Sequence, residues 1–488
     1  MKKAVTFFVV LTFIVSQILT LLYFDNLPSG YQLIVLLPSI FVVGFFLFFF
    51  EFIGKCSNPF VLYGTSVMEW IRFIILPPIC AIAGNQNGMV YINPTVSSLN
   101  LSIILMIVEY FAVCLFCKLM IKPVKPHRTQ KNAYIIIGRK SIYVLFFAFS
   151  LIVYFFLGRG KGLIRFLIIN VAQGERIGDI TETGSLIIRQ LILCTMFLSF
   201  VLIVNYFWKR YQKTHKNIYV YGALIAAAIN VSIIVGERRT AQVYALLCSL
   251  WILINLFPKY QKKIIISLTA VAGFVLLFMS IYKFFGAFMF DSYEDAISNS
   301  EFDIPFLSRT LQIYFLGPEN IAITLDFFKI KDLDIFQMFF DFLRSIFGFN
   351  YIFRGMNDIT SVAFNTFIYG TEQKTGHLLS AAGYGFGFLG PFFIPFFSLI
   401  NIYISLKLEN LLYRLKSLEL IYIVTYVLTR FVTNLFLNTP ALLTQATMMA
   451  FTSLVVVGIA ALLNRRNESI KPKKSPPPSQ VSYRELSD

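Results

Sequence analysis

Apolar runs of about 20 residues recur along the chain, divided by short polar or charged stretches. About 20 residues of helix cross the ~30 Å hydrocarbon core of a bilayer, so the pattern predicts membrane spans. Twelve are expected, at 4–24, 31–53, 60–84, 97–120, 141–157, 185–207, 218–235, 243–257, 264–285, 392–406, 418–437 and 441–463. The first follows Met1-Lys2-Lys3 and resembles a signal peptide. Its apolar run is too long, and no small-residue cleavage site follows, so it reads as an uncleaved span. Pro77-Pro78 is expected to kink or end the third span near its outer end.

Charge sets the expected sidedness. Residues 118–140 hold seven basic side chains and no acidic one, and 208–217, 258–263 and 407–416 are also basic. Lys and Arg collect in cytoplasmic loops. Twelve spans then place both termini and every lysine-rich loop inside. The expected fold class is an all-α polytopic membrane protein, with 1–464 as a single transmembrane domain and 465–488 as a disordered cytoplasmic tail rich in Pro, Lys and Ser.

Composition agrees. The 488 residues are 57% hydrophobic and only 14% charged, whereas a soluble domain carries about 25% charge. The net charge of +17 follows from the inner loops and implies no nucleic-acid partner, since no such binding motif is present. Cys114 and Cys117 form a CxxC inside an apolar run, where small packing residues are expected rather than a redox pair. No Walker motif, metal-ligand spacing or nucleophile elbow occurs, so no cofactor and no metal are expected.

The chain is organised around 286–380, about 95 residues between two apolar runs and the only long segment neither membrane-like nor basic. By alternation it is extracytoplasmic. Its stretches 304–330 and 334–347 are amphipathic, suited to lie along the membrane surface, to cap the spans or to form a small subdomain. It holds Arg309, Arg344, Arg354 and His377, the last in "GTEQKTGHLLSAAGYGFGFLG" with Glu372. His377 is either structural or in contact with substrate. A second outer loop, 158–184, carries Arg159, Lys161, Arg165 and Arg176, against the positive-inside bias. Either these arginines grip an anion through paired donors or they balance Glu175, Asp179 and Glu182. The tight connection "GERRTAQ" sets Arg238 and Arg239 at an outer helix start, where anion binding competes with interfacial snorkelling. Glu69 and Arg72 share one helix face within the third span, as a structural ion pair or as a wall of an active cavity.

This plan resembles the O-antigen and repeat-unit polysaccharide polymerases (the Wzy type) of bacterial membranes, which are related to the O-antigen ligases. "GERRTAQ" looks like the arginine-bearing helix start of that group, with Arg239 the best match. "TGHLLSAAGYGFGFLG" is similar to the glycine- and aromatic-rich re-entry after the long outer loop, and Arg344 with Gly355 matches an arginine–glycine spacing of some members. The resemblance implies a GT-C-like, metal-independent glycosyltransferase in the bacterial cytoplasmic membrane. It would polymerise undecaprenyl-pyrophosphate-linked oligosaccharide units into O-antigen or capsular polysaccharide, alongside a flippase and a chain-length regulator. Arg239 and Arg238 would hold pyrophosphate, assisted by Arg159, Arg165 or Arg176. His377 would be the base, with Glu372 or Glu69 as substitutes, and Arg344 and Arg72 would contact substrate. A ligase, a lipid-linked oligosaccharide flippase and a secondary transporter are the alternatives.

Overall fold

The structure, a computed structural model, describes residues 2–84, 92–124, 134–158, 164–166, 183–235, 240–285, 304–353, 358–370 and 377–470. These are almost entirely helical. In chain order the elements are α1 (Lys2–Leu22), α2 (Gln32–Phe52), α3 (Pro59–Ala83), α4 (Val96–Met120), α5 (Lys140–Leu157), β1 (Ile164–Phe166), α6 (Thr183–Thr214), α7 (Ile218–Ser232), β2 (Ile233–Val235), α8 (Thr240–Leu256) and α9 (Gln261–Phe285). They continue as α10 (Ile304–Phe315), α11 (Pro318–Ile330), α12 (Ile335–Ser345), α13 (Thr360–Tyr369), α14 (Ala381–Leu389), α15 (Phe396–Arg414), α16 (Leu418–Thr433) and α17 (Thr439–Ile470).

Among the described residues, eight helices are long and apolar enough to cross a bilayer, and α8 with α9, bent by 117°, brings this to nine. The protein is therefore a multi-pass helical membrane protein, with eight or nine such helices among the described residues against the twelve spans expected. The seventh, α7, has 15 residues, and the eleventh, α16, has 16. The helix of α7 stops where Ile233-Ile234-Val235 pairs antiparallel with β1, since a run of β-branched residues fits a strand better than another helical turn. After α16 the chain turns at 434–436, and Leu437 pairs with Ser380.

Pro77 and Pro78 do not end α3. The helix passes through a π turn at Ile71–Ile75 and continues to Ala83. Two consecutive prolines withdraw two N–H donors and strand the carbonyls one turn earlier. Ser16 on α1 donates to one of these, Ile74 O, at 2.6 Å. Ser16→Ala is therefore expected to lower thermal stability in detergent by about 1–3 kcal/mol, the cost of a buried unpaired carbonyl; an unchanged melting temperature would refute this account.

The loop 286–380 neither lies flat nor stands apart. Its helices α10 and α11 form a hairpin between α3 and α4. Near its open end, Asp326 accepts from Thr95 N, Thr95 Oγ1 and Ser98 Oγ and so caps the start of α4. At its tip, Leu316 adopts φ 54° and passes its carbonyl to Arg72, 3.2 Å away. Arg72 also reaches Glu109 on α4, fourteen residues from Thr95. At ~1.5 Å per residue this lies about 20 Å inside the bundle. The hairpin is thus an inserted element, reaching a little over half of the way along α4.

Gly383 and Gly387 on α14 lie against Thr324 and Phe328 on α11, so the two helices run side by side in the same direction. A β-carbon at either glycine would meet these side chains at 2.5 and 2.4 Å, which explains the small residues there. The chain reverses at Gly390, with φ 84°, to enter α15. At the opposite end, buried carboxylates cap chain starts. Glu409 accepts from Phe60 N and Val61 N, and Glu419 from Ile137 N, Gly138 N and the Tyr143 hydroxyl. All six cysteines are buried and none is in a disulfide, including Cys114 and Cys117.

Candidate functional site

The antiparallel β1–β2 pair sets Arg165 opposite Ile234, joining the loop 158–184 to the strand that leads into "GERRTAQ". Two arginine-bearing segments, far apart in sequence, thus meet at one end of the bundle. Beyond the connection, the first residues of α8, Ala241 and Gln242, line a pocket with Asn230, Ile233, Tyr422 and Tyr426. Asn230 Nδ2 donates to Ser249 Oγ and to the Tyr422 hydroxyl, tying α7, α8 and α16 around it.

One turn beyond Tyr426 on α16 lies Arg430. It is wedged between the rings of Tyr244 and Tyr426, with its guanidinium carbon 4.7 and 5.2 Å from their centroids. It donates to the Tyr426 hydroxyl from Nε and Nη2, and to Gln445 Oε1 from Nη1. No carboxylate pairs with it among the described residues. A guanidinium held by aromatic faces and neutral oxygens retains its charge for an anion. Arg189, one turn before the pocket residue Leu193 on α6, is a further cation in this part of the bundle. Sequence reasoning did not single out Arg189 as a site residue. The signal was there, since a lone arginine inside an apolar run marks a functional or paired position.

His377 is placed from the other side. Its backbone N donates to Asn365 Oδ1 at 2.8 Å, and Asn365 Nδ2 returns a bond to its carbonyl at 3.1 Å. The Tyr369 hydroxyl meets Nδ1 at 2.9 Å, while Nε2 has no hydrogen-bond partner among the described residues. With Nδ1 as donor to the tyrosine oxygen, Nε2 carries the free lone pair a base requires. Only 7% exposed, the imidazole is pushed down to about 4 by burial, so it is neutral near pH 7. Asp341 nearby accepts from the Tyr384 hydroxyl and from Thr360 N; burial raises its pKa, opposed by these bonds.

The histidine makes a pH prediction. Its folded pKa lies below the ordinary imidazole value of 6.5, so between about 4 and 6.5 the unfolded chain binds more protons. Stability should therefore fall as pH drops through that window, by up to about 3 kcal/mol for this group. His377→Gln should flatten the dependence relative to wild type in detergent unfolding measured across pH 4–7. Parallel curves would show that the imidazole does not titrate in this way.

The segment after α16 links both halves. Asn434 Nδ2 donates to the Tyr244 hydroxyl on α8, while Leu437 pairs with Ser380, three residues past His377. Both the helix start after Arg239 and His377 therefore border the same short stretch. Arg344 lies in the last turn of α12, where Ser345 offers its carbonyl to Thr447 Oγ1 on α17, and it is not among the residues that line the pocket. Arg159, Arg176, Arg238, Arg239, Glu372, Arg354 and Gly355 lie outside the described residues, and Arg165 is placed by its backbone only.

Glu69 and Arg72 are 0% exposed. Arg72 reaches Glu69 at 3.5 Å and Glu109 at 3.0 Å and lies 4.0 Å over the Phe436 ring. The group holds the inserted hairpin through Leu316 O and is not among the residues that line the pocket beside Arg430. Glu109 was not singled out by sequence reasoning, although a lone carboxylate within 97–120 carries the same signal as Arg72. No family model, curated protein or solved structure matches this chain.

Proposed function

We propose that this protein is a membrane glycosyltransferase that polymerises undecaprenyl-pyrophosphate-linked oligosaccharide units. Its site would open on the outer face of the cytoplasmic membrane, with twelve chain crossings and both termini inside. The observation that carries this reading is the union of Arg165 and the "GERRTAQ" helix start through β1–β2, above a pocket flanked by Arg430. A lipid pyrophosphate leaves carrying its own negative charge, so the leaving group needs fixed cations at the depth of the headgroups. Arginines supply paired donors for that purpose.

In the proposed step the acceptor hydroxyl oxygen attacks the anomeric carbon of the growing chain. The bond from that carbon to the pyrophosphate oxygen breaks, and its electron pair leaves with the lipid pyrophosphate. The hydroxyl proton passes to His377 Nε2, or to Glu372. Arg239 and Arg238 hold the pyrophosphate, with Arg159, Arg165 or Arg176 beside them and Arg430 beneath. An O-antigen-type ligase would use the same anion site with a different acceptor. A flippase would need the site only for recognition.

The test supplies the purified full-length protein in lipid with lipid-linked repeat units and no nucleotide, and resolves products by glycan length. A ladder of lengths is expected. Units that appear on the opposite leaflet without lengthening would replace the polymerase reading with transport.

A further inference from the structure

The cluster around Arg72 contains one guanidinium and two carboxylates, Glu69 and Glu109, all 0% exposed. The neighbouring groups are also accounted for. Tyr110, Cys114 and Cys117 from α4, Cys80 from α3 and Tyr31 before α2 are neutral groups. The inserted hairpin adds Arg309 and Glu319, which interact with each other. Glu409 and Glu419 on α15 and α16 serve as caps at the far end, and α1 brings only Lys2 and Lys3, also at that end. With or without the hairpin's pair, the buried centre holds one negative charge too many. An unpaired carboxylate in such surroundings costs several kcal/mol, and a bound proton removes that cost.

The hydrogen bonds identify which carboxylate takes the proton. Glu109 accepts at both oxygens, from Arg72 Nη2 and from Ser398 Oγ, as an ionised carboxylate does. Glu69 Oε2 has only the long 3.5 Å contact, and Oε1 has no partner, nor does Arg72 Nε. Buried polar atoms are normally satisfied, so this many unmatched atoms at one place require water or a proton.

More unpartnered atoms lie toward the loop end of the bundle. Asn320, four residues past the hairpin tip, and Asn438, two residues past Phe436, are each 1% exposed. Both polar atoms of each side chain lack partners. Toward the other end, among the described residues, only the hydroxyls of Thr65 and Thr429 are unmatched nearby. Amides that both donate and accept suit a short file of water molecules.

We propose that Glu69 is a proton-binding site, exchanging with the loop end of the protein through water held by Asn320 and Asn438. The same Arg72 that faces Glu69 holds Leu316 O, so the proton sets how strongly the guanidinium is drawn away from the α10–α11 hairpin. This inference does not rest on the polymerase reading.

Infrared difference spectra of the full-length protein in lipid, taken on stepping the pH in H₂O and D₂O, test it. A protonated carboxyl carbonyl band is expected at neutral pH, shifted by deuterium and lost at alkaline pH. Glu319 and Glu409 can add bands of their own, so the decisive comparison is with Glu69→Gln, in which the amplitude of one carboxyl group should be lost. Glu109→Gln provides a second variant. It balances the charge, and the Glu69 band should then also disappear. A band unchanged in both variants, or none in wild type, would overturn the proposal. Loss of the wild-type band on adding NaCl at constant pH would equally overturn it, by assigning the site to a sodium ion.

Discussion

Arg239→Ala is expected to reduce glycan chain extension by about 10²–10³-fold, the usual effect of removing one donor aimed at charge that develops during reaction. The helix α8 begins at Thr240, immediately after Arg239 in sequence, so in the proposed site its first free N–H groups would act on the same anion as the guanidinium. Arg238→Ala is expected to cost less, because Arg238 lies one residue further along the chain from the start of α8 at Thr240 and its free N–H groups. Arg430→Ala should fall between them if the pocket below the arginine connection receives part of the lipid pyrophosphate. The assay is the length-resolved product ladder, scored against protein that is folded by size-exclusion chromatography. Full activity of Arg239→Ala would remove the main support for an anion site at this connection.

Arg72→Ala is expected to destabilise the fold by about 3–5 kcal/mol, since deleting one member of a buried ion cluster leaves its partners uncompensated. The loss has several sources. Glu109 loses its cation, Leu316 O loses its donor, and the Phe436 ring loses the guanidinium stacked on it. Arg72→Lys should recover only part of this, because a point charge on a flexible stem cannot serve Glu109 and Leu316 O at once with the geometry of a planar fork. Thermal unfolding in detergent measures both variants. Limited proteolysis supplies a second readout, since release of the hairpin should expose α10–α11 to cleavage while the rest of the bundle resists. A stability loss under 1 kcal/mol with an unchanged cleavage pattern would show that Arg72 does not anchor the hairpin.

Hydropathy by itself determined that this is a multi-pass helical membrane protein, because lipid leaves no alternative for runs such as 4–24 and 97–120. The basic stretches between spans, and the concentration of acidic residues in 286–380, were equally plain. So was the placement of Glu69 and Arg72 on one helix face that must turn to the interior or to water, since charge in such a run is costly.

Other features belonged to the tertiary structure alone. Hydropathy reports that a segment avoids water, but not whether it meets lipid or protein. It therefore could not show that α7 and α16, partly surrounded by other helices, have only 15 and 16 residues. Amphipathicity marked 304–330 as half-buried, yet only packing decided that it enters the bundle as a hairpin rather than resting on a membrane surface. Glu109 and Leu316 meet Arg72 across gaps of 37 and 244 residues, and Arg165 pairs opposite Ile234 across a strand contact of three residues. Periodicity within a segment contains no term for such contacts. They arise because buried charges and unpaired backbone groups must find partners wherever the fold brings them together.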